Sequence, residues 1–202
     1  MKNFKFASAV ALAISLLAAG GAQATVELVK NGSFAANNGG GSATDWFDQG
    51  VQFGTGVARF GKDTDLMSQT FAGVVTGTSL ALSFYFDNLK FNGNKTDDML
   101  TVKLQRSLNP TFGGGATDTV GKITLHQNQN DGLYGFSVAG ADVLGGGYYY
   151  RLYFNSKSDK NFSVDNVSLL ATAPVPEPET YAMLLAGLGV VGFIARRRRP
   201  QA

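Results

Sequence analysis

The chain has 202 residues, no cysteine and one histidine, His126. This excludes disulfides, thiol catalysis, Fe–S clusters and Cys-ligated zinc, and any His-based triad would depend on that single residue. The formal charge of +2 is set by the chain ends. Without Lys2, Lys5, Glu177, Glu179 and the four arginines 196–199, there remain 11 basic and 13 acidic residues, a balance near −2 that gives no sign of nucleic-acid binding.

In chain order, Lys2 and Lys5 precede an apolar run from Phe6 to Ala19, and Ala22-Gln23-Ala24 supplies small residues for signal peptidase. The pattern predicts a secretory signal peptide over 1–24, cleaved after Ala24, and the apolar run is shorter than the ~20 residues of a membrane span. Residues 25–173 form roughly one domain's length of chain. Helix periodicity is scarce there and strand alternation is common. Strands are predicted at Val26–Val29, across Val51–Phe60 as a pair turning at Gly54-Thr55-Gly56, and at Asp65–Phe71. Ser79–Leu89 places Leu80, Leu82, Phe84 and Phe86 on one face. Further strands are predicted at Asp98–Leu104, Gly121–Leu125, Gly132–Val138, Gly147–Phe154 and Phe162–Leu170, with turns at Asn92-Gly93, Gly113-Gly114-Gly115, Asp131-Gly132 and Gly145-Gly146-Gly147. About nine short strands without an internal repeat predict an all-β sandwich.

Pro174, Pro176 and Pro178 make residues 174–180 an extended linker. The apolar run Tyr181–Ala195 would give a helix of roughly 22 Å, short for a ~30 Å hydrocarbon core unless flanking arginines and Tyr181 extend its reach. Residues 181–202 are therefore read as a hydrophobic helix with an Arg cluster, the helix being a short transmembrane segment that meets the inner membrane transiently. Arg196, Arg197, Arg198 and Arg199 would hold their end in the cytoplasm. The order of Pro176-Glu177-Pro178, apolar run and basic cluster resembles the PEP-CTERM protein-sorting signal of Gram-negative bacteria. The resemblance implies handling by an exosortase-type transpeptidase, cleavage near the Pro-Glu-Pro box, and display at the cell surface or in the extracellular matrix. An ordinary tail anchor is the alternative.

Leu28-Val29-Lys30-Asn31-Gly32-Ser33-Phe34 with Asp45-Trp46, and Phe162-Ser163-Val164-Asp165-Asn166-Val167-Ser168-Leu169, resemble the opening and closing strands of galactose-binding-like jelly rolls. Many carbohydrate-binding modules share that layout. The resemblance implies a jelly-roll β-sandwich, a core position for Trp46, and a structural Ca²⁺ held in part by Asp165. Ala35 stands where a further acidic ligand is expected, and the alternative is that Asp165 caps a turn.

For chemistry, Asp97 and Asp98 point to opposite faces if extended and are read as turn residues. Asp63 and Asp65 could share a face, but a polar loop is the simpler reading, as it is for His126 beside Gln127-Asn128-Gln129-Asn130. No catalytic constellation emerges, and the chain is read as a non-enzyme. The stronger lead is Tyr148-Tyr149-Tyr150-Arg151. Tyr148 and Tyr150 share one face of a strand, Tyr149 and Arg151 the other. One pair belongs in the core. An exposed pair would stack on sugar rings, or would merely stabilise the sheet. The expected function is an exported module associated with extracellular polysaccharide. The alternatives are a structural matrix protein without specific glycan binding, or a glycan-active enzyme.

Overall fold

The computed structural model describes residues 24–36, 42–54, 56–61, 64–88, 99–126, 129–157, 162–174 and 178–197. It separates Ala24–Ala173 from a second unit that includes the chain from Pro174 onward. The first unit holds strands β1 (Thr25–Glu27), β2 (Phe47–Gln49), β3 (Gln52–Phe53), β4 (Ala58–Phe60), β5 (Leu66–Phe71), β6 (Ser79–Asp87), β7 (Met99–Ser107), β8 (Thr117–His126), β9 (Gly132–Val138), β10 (Tyr149–Lys157) and β11 (Phe162–Thr172). The strands form two sheets. One has six strands in the order β3-β4-β11-β6-β9, with β1 also on β11, and the other runs β2-β5-β10-β7-β8. Every pair of named strands is antiparallel. This is a jelly-roll sandwich.

The period-2 pattern decides which faces meet. Leu80, Leu82, Phe84 and Phe86 of β6 are buried, as are Leu100, Val102 and Leu104 of β7 and Tyr150, Leu152 and Phe154 of β10. Phe84 and Phe154 meet edge to face across the two sheets, ring centroids 5.4 Å apart. Each such side chain stabilises the fold by about 1.5–3 kcal/mol through burial, and aromatic pairing adds to this. A bulge between Asp165 and Ser168 shifts the register of β11 on β6. It explains how Val164, Val167 and Leu169 all reach the core although strict alternation would turn one of them out.

The opening motif is held by its own polar groups. Asn31 Nδ2 donates to the Ala36 and Thr44 carbonyls at 2.6 and 3.1 Å. Gln69 accepts from Lys30 N at 2.8 Å and donates to the Lys30 carbonyl at 3.0 Å. Trp46 is buried, as expected, and its Nε1 donates to the Lys30 carbonyl at 3.1 Å. Gly32 accepts from Val167 N at 2.9 Å, so closely that a Cβ would lie 1.9 Å from the Val167 carbonyl oxygen. Only glycine fits this join between the motif and the bulge of β11.

Departures from the sequence reading lie at edges and ends. Strand β2 was not anticipated. Its Phe47-Asp48-Gln49 has no apolar alternation, and it exists because it pairs with β5. Strand β8 starts at Thr117 rather than Gly121, because the polar stretch Thr117–Thr119 follows β7 past a bulge at Leu104/Gln105. The first strand spans Thr25–Glu27 instead of reaching Val29. Past it, the Glu27 carboxylate accepts from Val29 N at 2.9 Å, Leu169 N at 2.8 Å and Ser168 Oγ, and so staples the chain to β11.

In the second unit, helix α1 spans Pro178–Arg197, somewhat longer than the predicted run. No helix among the described residues is long and apolar enough to cross a membrane. The expectation of a transmembrane helix is corrected accordingly. Glu179, Arg196 and Arg197 fall within the helix, and Gly187, Gly189 and Gly192 add little hydrophobicity.

Candidate functional site

Strand β10 runs through the middle of the five-stranded sheet, and its alternation splits the Tyr-Tyr-Tyr-Arg run. Tyr150 faces inward and is fully buried. Its hydroxyl donates to the Leu144 carbonyl and accepts from Leu144 N, both at 2.8 Å. Tyr148 leans on the core margin with the Arg106 guanidinium 5.7 Å from its ring centre. Tyr150 is committed to the core, so for it the ligand-binding expectation is corrected by the pleat of the strand, whereas Tyr148, just before the strand, is half-buried and lines the cleft described below. Tyr149 and Arg151 are half-buried on the outer face, in line with Tyr153 and Asn155.

Arg151 is the centre of that face. Its guanidinium carbon lies 4.4 Å from the Phe112 ring centroid and 5.2 Å from that of Tyr153. Its Nη2 and Nε donate to Gln105 Oε1 at 2.8 and 3.3 Å. Gln105 is its register partner on β7. Partial burial lowers the guanidinium pKa, an effect that the Tyr153 phenol opposes. The group remains a cation at neutral pH, within cation–π distance of two rings.

Phe112 reaches Arg151 from the β7–β8 loop and escaped the sequence reading. Asn109 builds this loop. Its Oδ1 accepts from Thr111 N at 3.0 Å and Thr111 Oγ1 at 2.8 Å, its Nδ2 donates to the Gly113 carbonyl, and its carbonyl accepts from Phe112 N at 3.1 Å. Phe112 takes a positive φ of 55°. A Leu-Asn-Pro-Thr-Phe-Gly turn beside a triple glycine was the available signal, but nothing in it specifies which strand the ring will cover. Next to Tyr149, a cleft of 430 Å³ is lined by Ala72–Thr76 and Gly145–Tyr149. A flat cation, two half-exposed rings and a carboxamide on the sheet, with a third half-exposed ring from the β7–β8 loop, are suited to stacking and hydrogen bonding.

The remaining candidates are scattered. Asp165 is half-buried on the six-stranded sheet, with Oδ1 accepting from Asn166 N at 2.5 Å and Oδ2 from Asn166 Nδ2 at 3.3 Å. Its oxygens thus serve a local turn at the bulge. Among the described residues no three Asp, Glu, His or Cys side chains gather as a metal would require. Ala35 stands where a further acid was expected, and the Glu27 carboxylate is bonded to β11. Asp65 is buried, and its Oδ2 accepts from Gly61 N at 2.7 Å. His126 is the last residue of β8, half-buried rather than in an exposed loop. Asp87 was not singled out in the sequence. Burial and then Asp131 raise its carboxyl pKa above 3.8, and Arg59 opposes the shift. Pro178, Arg196 and Arg197 lie in α1, and Ala24 accepts from Ala173 N at 3.4 Å. Ala22, Asp63, Asp97, Asp98, Pro176, Glu177, Arg198 and Arg199 lie outside the described residues.

Residues 174–199 match the PEP-CTERM protein-sorting motif. The motif implies an exported, cell-surface protein processed by an exosortase-type system. No curated protein matches the sequence. Among solved structures, a CBM4 protein is similar at 14% identity and a TM-score of 0.49, over 71% of this chain and 99% of that one. The CBM22-1 xylan-binding domain from Paenibacillus barcinonensis Xyn10C gives 14% and 0.49 over 77% and 100%. A cyclase from Fischerella sp. TAU gives 14% and 0.48 over 76% and 100%. Likeness at this level shows the fold and does not reach function.

Proposed function

We propose that the β-sandwich is a glycan-binding module displayed outside the cell, and that it binds through the outer face of the five-stranded sheet. The observation that carries this is Arg151, close to the rings of both Phe112 and Tyr153 and tied to Gln105, with Tyr149 next along the strand. Pyranose rings offer C–H faces to aromatic rings and hydroxyls to planar donors and acceptors, and a rigid sheet limits the ordering entropy lost on binding. A secretory signal peptide over 1–24 supplies export by a Sec-type route in a Gram-negative envelope. The sorting motif supplies display, and extracellular polysaccharide is the ligand within reach of such a protein.

Retention of the full chain on immobilised polysaccharides tests the reading. Tyr153→Ala should lower retention about tenfold, since loss of one good stacking contact is of order 1 kcal/mol or more. Tyr85→Ala, on the outer face of the opposite sheet, should leave it unchanged. Equal loss in both variants, or no retention of the unaltered chain on any polymer, would sink the proposal in favour of a structural matrix protein.

A further inference from the structure

The register of the strands sorts the charges between the two faces. On the outer face of the five-stranded sheet stand Lys103, Lys122, Arg151 and Lys157, with His126 at the end of β8. The only acids on its five strands are Asp48 and Asp118. Asp48 lies opposite the fully buried Met67, and Asp118 lies opposite Arg106, which it pairs with at 3.2 Å. Both belong to the inward side of the pleat, so the described strand residues place no carboxylate on this outer face. On the six-stranded sheet the order is reversed. Glu27, Asp87 and Asp165 face outward there against one cation, Arg59.

Lys103 and Lys122 are direct cross-strand partners. Like charges in that relation destabilise a sheet, and neither lysine has a carboxylate partner among the described residues. Tyr153 is the neighbour of Lys103 on the other side. One row across the sheet therefore reads ring, ammonium, ammonium, and the next reads Arg151, Gln105. An anionic polymer with pyranose rings would complement both features: rings stack on Tyr153 and Phe112 while its acid groups offset the lysine repulsion.

Resting on the glycan-binding reading above, we infer that the ligand of this face is an acidic polysaccharide bearing carboxylates along its length, such as a polyuronate, and that Lys103 and Lys122 select it over neutral glycans.

The test uses the full chain with the four tail arginines changed to glutamine, so that the tail charge is not read. Its retention is compared on polygalacturonate, on the same polymer after carboxyl reduction, and on duplex DNA. The expected result is retention on polygalacturonate about tenfold above the reduced polymer and above DNA, weakening as NaCl is raised. Lys103→Gln with Lys122→Gln should erase that preference, whereas Arg59→Gln on the opposite sheet should not. Melting gives an independent readout. Polygalacturonate should raise the melting temperature of the unaltered chain more than that of the double variant. Equal retention on the acidic and reduced polymers would overturn the acidic selectivity and leave the glycan-binding module standing. Retention on DNA equal to that on polygalacturonate would overturn sugar recognition itself, and absence of retention on all three would overturn the acidic-polymer inference, while the glycan-binding module falls only if the wider panel of polysaccharides also fails to retain the chain.

Discussion

Changing Tyr150 to phenylalanine removes one oxygen and leaves the ring in place. That oxygen serves both backbone polar groups of one residue, donating to the Leu144 carbonyl and accepting from Leu144 N at 2.8 Å each. The ring is fully buried, so the variant leaves two half-buried backbone groups to find water at a crowded strand end. Leaving a buried donor or acceptor without a partner costs about 1–3 kcal/mol. With Leu144 half-exposed, a total near 2 kcal/mol is expected. For a domain of this size that is a fall in melting temperature of about 4–8 °C. Urea denaturation should show a lower midpoint at an unchanged slope, and amide exchange at Leu144 and Gly145 should speed up.

The phenol supplies a second readout. Burial raises its pKa above 10.0, against opposing contributions from the Leu144 backbone and Arg106. A group with a raised folded pKa contributes stability that is fully present below its unfolded value and is lost as pH climbs toward the folded one. The unaltered chain should lose stability above about pH 10 by a component that the phenylalanine variant lacks. A shift under about 1 °C at neutral pH, with identical alkaline profiles for the two chains, would refute the account of Tyr150.

Gly32→Ala should destabilise by about 1–3 kcal/mol or fail to fold, because its Cβ would meet the Val167 carbonyl at 1.9 Å; circular dichroism melts decide. Asp87→Asn should raise stability at pH 7, since the raised pKa makes the charged form the unfavourable one. The gain should vanish below 3.8, where the carboxyl is protonated folded and unfolded alike; melts at pH 3 and pH 7 compare the two. EDTA should change neither the melting temperature nor polysaccharide retention, given that the Asp165 oxygens are engaged by Asn166. A fall in either would place a cation at the bulge after all.

The sandwich was legible because burial writes itself as alternation. Leu80, Leu82, Phe84 and Phe86 share one face in the sequence and lie inward in the fold. Strand β2 was illegible because its pairing is lent by β5 and no property of Phe47-Asp48-Gln49 encodes it. In the site, alternation predicted that Tyr149 and Arg151 would share a face, and they do. It could not say that this face was the outer one, nor bring Phe112 and Gln105 to Arg151, because those meetings depend on register between strands distant in sequence. Lys103 and Lys122 are 19 positions apart and became neighbours only once the bulge at Leu104/Gln105 fixed how β7 lies on β8. The calcium expectation came from family likeness and not from spacing, and Asn166 at a φ of 50° marks the local turn at Asp165 that no alternation pattern encodes.

The placing of β11 has a mechanical consequence. It is 11 residues long and lies inside its sheet between β4 and β6, with Thr25 opposite Thr172. A pull on the chain beyond Ala173 enters the domain along this strand, at right angles to its antiparallel hydrogen bonds. Tension between the tail and a polymer held on the other sheet therefore loads many bonds in shear at once. Tension between the two chain termini acts differently: both leave from the same end of the sandwich, so it peels the three pairs of β1 one after another. A domain with this wiring resists a pull between its tail and the opposite sheet far better than being opened at its ends.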